Sequence, residues 1–206
     1  MARLTLGMQC FWGAEAIFGS KSGIIRTKVG YSGGSTKNPN YRNIGDHIES
    51  VDLEFDPNIV KFEEILELFI KSHDPTLKHK RQYISAIFYR NADEKNLIEK
   101  FLESKKPSYS SPIVTELVPF DEFTNAENYH QKYFLRKYPS IMKETGLQID
   151  SDLITSPLAA KLNGICAGFG SINNINEQDR MKLSSTTINL LETMIKNGPN
   201  IAECGI

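Results

Sequence analysis

The chain has 206 residues, 40% hydrophobic and 24% charged, a balance that suits one globular core with room for an appendage. Its 24 basic and 25 acidic residues leave a formal net charge of -1, without the basic excess that a nucleic-acid or anionic-membrane partner calls for. No apolar run approaches the ~18 residues needed to cross a bilayer, and Glu15 interrupts the N-terminal stretch where a secretory signal would continue, so a cytoplasmic protein is expected.

In chain order, residues 3–8 alternate so that Leu4, Leu6 and Met8 share one strand face, and a short helix is predicted from Trp12 to about Gly19. Cys10 then falls at a helix N-terminus. Residues 24–34, "IIRTKVGYSGG", read as a second strand ending in a glycine turn, followed by a turn-rich loop. In "HIESVDLEF", 47–55, Val51, Leu53 and Phe55 face one way, and the same parity puts Glu49 with them. Residues 60–73 form an amphipathic helix, 82–89 an apolar strand buried on both faces, and 91–102 a second amphipathic helix. A short strand is expected within 113–118 and a helical or irregular stretch over 126–137. Beyond about Gly146 the chain turns rich in Gly, Ser and Asn, and a helix stopped by Gly198 and Pro199 closes it.

Three cysteines, Cys10, Cys166 and Cys204, are an odd and widely spaced set. They speak against a secreted disulfide framework and match no zinc spacing, and His47, His73, His79 and His130 are scattered, so no metal is expected. A cysteine at a helix N-terminus meets unsatisfied N–H groups and the positive end of the helix dipole, both of which favour thiolate. Phe11 and Trp12 beside Cys10 would line a water-poor recess for a small apolar group; the alternative is that all three are core residues. On the apolar face of its strand, Glu49 would be desolvated and hold a proton near pH 7, as a general acid must, unless the strand twists it out to solvent. Tyr41 in the loop and Tyr83 at the start of the buried strand offer neutral hydrogen-bond donors.

The segments "QCFWGAE", "GYSGG", "NPNYRNIGDHIESVDLEFDP", "HDPT", "QYISAIF" and "ENYHQKYF" together resemble the signature of the A-type peptide methionine sulfoxide reductases, over roughly residues 4–135. The resemblance implies that Cys10 attacks the sulfur of methionine S-sulfoxide, free or in proteins. It further implies that Phe11 and Trp12 hold the substrate methyl, that Glu49 protonates the sulfoxide oxygen, and that Tyr41 and Tyr83 bind that oxygen. Methionine leaves and Cys10 remains as a sulfenic acid. A resolving thiol condenses with it to a disulfide that thioredoxin reduces, with no metal or organic cofactor. Cys166, flanked by glycines that would let it swing, is the favoured resolving cysteine, and Cys204 on the terminal segment is the second candidate. The chain departs from the family pattern at Gln9 in place of a glycine, at the short "LKHKR" loop of 77–81, and at Ile84 in place of an arginine.

The fold class expected is α+β, an α/β sandwich: a small mixed sheet with helices packed on it, a ferredoxin-like core, and a C-terminal extension with a helix. Residues 1–146 would form the catalytic domain and 147–206 the extension carrying the candidate resolving cysteines. Two other functions fit the residues: a cysteine hydrolase or acyltransferase using Cys10 with His47 or His130, and an inactive paralogue that senses oxidant or binds methionine.

Overall fold

Alternating apolar side chains build the middle of a six-stranded sheet. The computed structural model describes residues 1–204. Strand β1 (Ala2–Met8) lies between β3 (Ile48–Phe55) and β4 (Ser85–Tyr89), antiparallel to both, and β3 pairs antiparallel with β2 (Ile24–Ser32). Two short strands complete the sheet: β5 (Glu116–Pro119), parallel to β4, and β6 (Phe123–Asn125), antiparallel to β2. The order across the sheet is β5-β4-β1-β3-β2-β6.

Helix α1 (Phe11–Ser20) follows β1, and α2 (Phe62–Lys71) and α3 (Ala92–Lys105) flank β4 in sequence. Both flanking helices start on side-chain caps. Glu64 accepts from the Lys61 amide at 2.9 Å, and Asn91 accepts from the Glu94 amide while Glu94 accepts from that of Arg90. Ile65, Leu66, Phe69 and Ile70 of α2 and Ile98 of α3 are buried in one cluster with Leu4, Leu6, Val51, Leu53 and Phe55 of the sheet.

Beyond β6 the chain turns helical, through α4 (Tyr133–Arg136), α5 (Pro139–Thr145), α6 (Asp150–Thr155), α7 (Pro157–Cys166), α8 (Glu177–Arg180) and α9 (Ser185–Asn197). Helix α7 lies in the Gly- and Asn-bearing segment where the sequence suggested no regular element. Ser156 caps it by accepting from the Ala159 amide, and Pro157 sits in its first turn. It packs directly on α1. A Cβ on Gly19 would lie 2.5 Å from the Ala160 carbonyl oxygen, and one on Gly164 would lie 2.6 Å from that of Ala16. The two glycines therefore serve close backbone approach.

Helix α1 is buried on all sides, Trp12 alone being half-exposed, because the sheet covers one face and α7 the other. Three carbonyls at its C-terminal end, of Gly19, Lys21 and Ile24, accept from the buried Lys161 ammonium at 2.6–3.0 Å. Glu15 within it is paired to Lys132 at 2.6 Å with neither side chain exposed. The helix that begins at Cys10 is thus fixed at its end, its middle and along its length.

Candidate active site

The chain leaves β1 through Gln9, whose φ of 56° is left-handed. A glycine would take that turn without strain. The Gln9 amide lies 2.9 Å from the His79 ring, so the short 77–81 loop is drawn over the turn. Cys10 follows as the N-cap residue of α1. The first amides of the helix are divided between two acidic groups. The Phe11 N–H donates to Glu49 Oε2 at 3.2 Å, while the Trp12 and Gly13 amides lie close enough to Cys10 to favour its thiolate.

The Cys10 thiol is pulled below its ordinary value, first by the Cys204 thiol donating to its sulfur and then by the two helix amides. Burial and the Glu49 charge oppose this without reversing it. Cys204 moves the other way, raised by its bond to Cys10 and by burial, so the shared pair gives up its first proton from Cys10.

Glu49 is 1% exposed, which rules out the strand twisting it to solvent. Burial pushes its carboxyl up to about 7, against hydrogen bonds from Gln82, Phe11 and Tyr83 that favour the charged form. The Gln82 amide donates to Oε1 at 2.7 Å. Tyr83 belongs to a single 3-10 turn, Arg81–Tyr83, rather than to the buried strand, which begins at Ser85. That turn directs both Gln82 and Tyr83 at Glu49, where an extended strand would have split them between opposite faces. The Tyr83 hydroxyl also meets that of Tyr41, and burial holds Tyr83 protonated.

Phe11 is buried and Trp12 closes the other side, with ring centroids 6.5 Å apart. The indole is fixed twice. Its face stacks on Tyr133 at 3.8 Å, 4° from parallel, and its N–H donates to His130 Nδ1 at 3.1 Å. His130 is buried, and burial lowers its pKa, favouring the neutral ring that can accept that bond.

These groups surround a cavity of about 300 Å³ lined by Gln9, Cys10, Phe11, Trp12, Tyr41, Glu49, His79, Tyr83, Glu203 and Cys204. Six of the expected site residues, Cys10, Phe11, Trp12, Tyr41, Glu49 and Tyr83, share it, and Cys204 joins them. Cys166 does not. It ends α7 inside the second apolar cluster, 7% exposed, its thiol pushed up to about 12 by burial. The glycine before it, Gly164, is pressed against α1 and gives it no freedom to swing. Sequence reasoning passed over Gln82, Tyr133 and Glu203 and weighed His130 only as a base for Cys10; Gln82 stands beside Tyr83 and Tyr133 lies within "ENYHQKYF", so adjacency to those segments was the available signal for these two.

Among the described residues no cluster of three or more His, Cys, Asp and Glu is placed to hold a metal ion, and no helix is long and apolar enough to cross a membrane. His47 bonds to the Thr36 carbonyl and His130 through Nδ1 to Trp12, and neither lines the cavity or is hydrogen-bonded to Cys10, the contact that the hydrolase alternative requires.

A thiol, a protonated carboxyl and an aromatic recess around one cavity suit reduction of a methyl sulfoxide, and comparison with known proteins agrees. The family model described as peptide methionine sulfoxide reductase matches residues 2–157. The chain belongs to that family. A peptide methionine sulfoxide reductase of Drosophila melanogaster is 40% identical over 189 residues, spanning 90% of this chain and 76% of that one. The crystal structure of Mxr1 from Saccharomyces cerevisiae in reduced form superposes with a TM-score of 0.62 at 27% identity, over 67% of this chain and 86% of that one. Mxr1 in complex with Trx2 superposes with a TM-score of 0.50 at 25% identity, over 63% and 83%. The reductase thus has a mixed α+β fold like that of its solved relatives, and its chemistry is the thiol-dependent reduction of methionine sulfoxide.

Proposed function

We propose that Cys10 is the thiol that reduces methionine S-sulfoxide, with Glu49 as the proton donor. Cys10 attacks the sulfoxide sulfur, Glu49 protonates the oxygen, and that oxygen passes to Cys10. Methionine is released and Cys10 remains as a sulfenic acid. Tyr41 and Tyr83 bind the sulfoxide oxygen, and Phe11 and Trp12 enclose the methyl group. The single observation that carries this reading is that Cys10 and Glu49 face one cavity with Phe11, Trp12, Tyr41 and Tyr83, the first amide of α1 bonding to Glu49.

Cys204 serves as the resolving thiol. It stands on the Cys10 cavity, whereas Cys166 is enclosed between α7 and its neighbours. The Cys204 thiol attacks the sulfenic sulfur, an S–S bond forms, and the oxygen leaves as water. The disulfide is then reduced by a thioredoxin-type dithiol, a partner supported by the complex of the related Mxr1 with Trx2. Residues 1–146 carry the reduction chemistry and 147–206 supply the resolving thiol. The β-α-β-β-α-β order of the first six strands and α-helices, with strands ordered 4-1-3-2, supports a ferredoxin-like core. The odd, widely spaced set of three cysteines fits a reducing, cytoplasmic setting.

Turnover of a methionine S-sulfoxide peptide with thioredoxin, and separately with dithiothreitol, tests this. Cys10→Ser is expected to lose both activities. Cys204→Ser is expected to lose the thioredoxin-driven one and keep the other, and Cys166→Ser to keep both. Thioredoxin-driven turnover surviving in Cys204→Ser would remove that residue from the scheme.

A further inference from the structure

The chain after α9 is tied down at several points before it reaches Cys204. The Asn200 amide donates to the Ala167 carbonyl at 3.0 Å, and Ile201 packs against the second apolar cluster. The strongest anchor is Glu203, the residue next to Cys204. Its Oε2 accepts from the Tyr133 hydroxyl at 2.6 Å, and both oxygens accept from the Lys137 ammonium at 2.8 Å. Lys137 lies over the Tyr133 ring at 4.7 Å, and the other side of the arrangement is the Tyr133 stack on Trp12.

We propose that Tyr133 and Lys137, by clasping Glu203, are positioning residues for the disulfide-forming step and hold Cys204 against Cys10. The proposal rests on the assignment of these two cysteines as resolving and attacking thiols. A thiol on an untethered chain end reaches its target at about millimolar effective concentration, and a thiol held in place reaches far more. A single peptide bond joins the clasped residue to the one that carries the reacting sulfur, so little slack remains. In the step that the clasp favours, the Cys204 sulfur bonds to the Cys10 sulfur and the Cys10 S–O bond breaks. The hydroxyl departs with the Cys204 proton as water, and no further oxidant is needed, because the sulfoxide has already taken two electrons from Cys10 in forming the sulfenic acid. Lys137 touches neither the cavity nor the reacting atoms. Its removal therefore separates closure of the disulfide from formation of the sulfenic acid.

The test is a single turnover without reductant, following methionine release and disulfide closure in parallel, with dimedone trapping the open sulfenic acid. In Lys137→Met, methionine release is expected to match wild type, and closure to slow about fivefold. That is the factor that ~1 kcal/mol from a partly exposed ion pair carries at 1.4 kcal/mol per tenfold. Exchanging the charges, Lys137→Glu with Glu203→Lys, is expected to restore most of the closure rate. Added salt is expected to slow closure in wild type and not in Lys137→Met. Unchanged closure in Lys137→Met would overturn the clasp alone. Absence of methionine release in wild type would overturn the Cys10 assignment and the clasp with it.

Discussion

Lys132 Nζ donates to Glu15 Oε1 at 2.6 Å, and the Lys132 backbone amide donates to Glu15 Oε2 at 2.9 Å, with no part of either side chain exposed. Lys132 also holds a left-handed φ of 54°, so the segment entering α4 is bent to bring both groups to α1. Removing one partner leaves a buried charge without compensation, which costs ~3–5 kcal/mol. Lys132→Met is therefore expected to lose about that much stability in urea unfolding, and Glu15→Gln with Lys132→Met to lose less. Equal losses in the two variants would mean that the charge pair is not what ties α1 to this segment.

Glu49 links catalysis to stability in opposite directions. Its folded value of about 7 lies above the ordinary carboxyl value, so the folded protein keeps a proton that the unfolded chain releases at lower pH. Stability therefore falls as pH rises from about 4.3 to 7, and the penalty is complete above 7. Glu49→Gln removes that penalty and is expected to be ~3–4 kcal/mol more stable than wild type at pH 8, with the difference vanishing near pH 4. Denaturant midpoints at the two pH values check this.

The same proton sets the pH profile of the first step. Only the protonated carboxyl can donate, so single-turnover methionine release is expected to fall as pH rises through about 7. Glu49→Gln should lose that alkaline limb and react ~10²–10⁴ times more slowly. A limb of unchanged position in Glu49→Gln would assign it to another group.

His130 acts through Trp12, accepting the indole N–H at 3.1 Å while its own Nε2 is buried without a partner. His130→Phe keeps the ring contacts to Phe11 and Tyr41 and removes the acceptor. Leaving a half-buried indole N–H unpaired costs ~1–2 kcal/mol, so kcat/KM for a sulfoxide peptide is expected to fall about 5- to 30-fold, chiefly through KM. A lowered kcat at unchanged KM would show that the ring does more than place the indole.

Gly164 and Gly19 set how closely α7 and α1 approach. Gly164→Ala would place a methyl 2.6 Å from the Ala16 carbonyl oxygen, and overpacking of this kind costs ~1–3 kcal/mol. A melting temperature lowered by several degrees is expected, and an unchanged one would show that the helices part without cost.

Local pattern carried much of this architecture. The alternation of Val51, Leu53 and Phe55 was enough to bury Glu49, and the change of period after Met8 was enough to place Cys10 at a helix start. Tyr83 was harder, because a 3-10 turn and the first residues of a strand look alike over three residues. The tail's helix and Cys204 could be read, but where the tail docks could not. Glu203 meets Tyr133 and Lys137 across more than sixty residues, and no periodicity encodes such a contact. Gly164 misled in a physical way. A glycine reads as freedom from sequence, yet here the missing Cβ is what lets two backbones touch and holds Cys166 in place.

The most direct measurement is peptide mapping of the oxidised enzyme after one equivalent of methionine S-sulfoxide peptide is reduced without added thiol. One methionine released per chain and a Cys10–Cys204 disulfide are expected, with Cys166 remaining a free thiol. A Cys10–Cys166 disulfide, or methionine release with Cys10 unmodified, would contradict this.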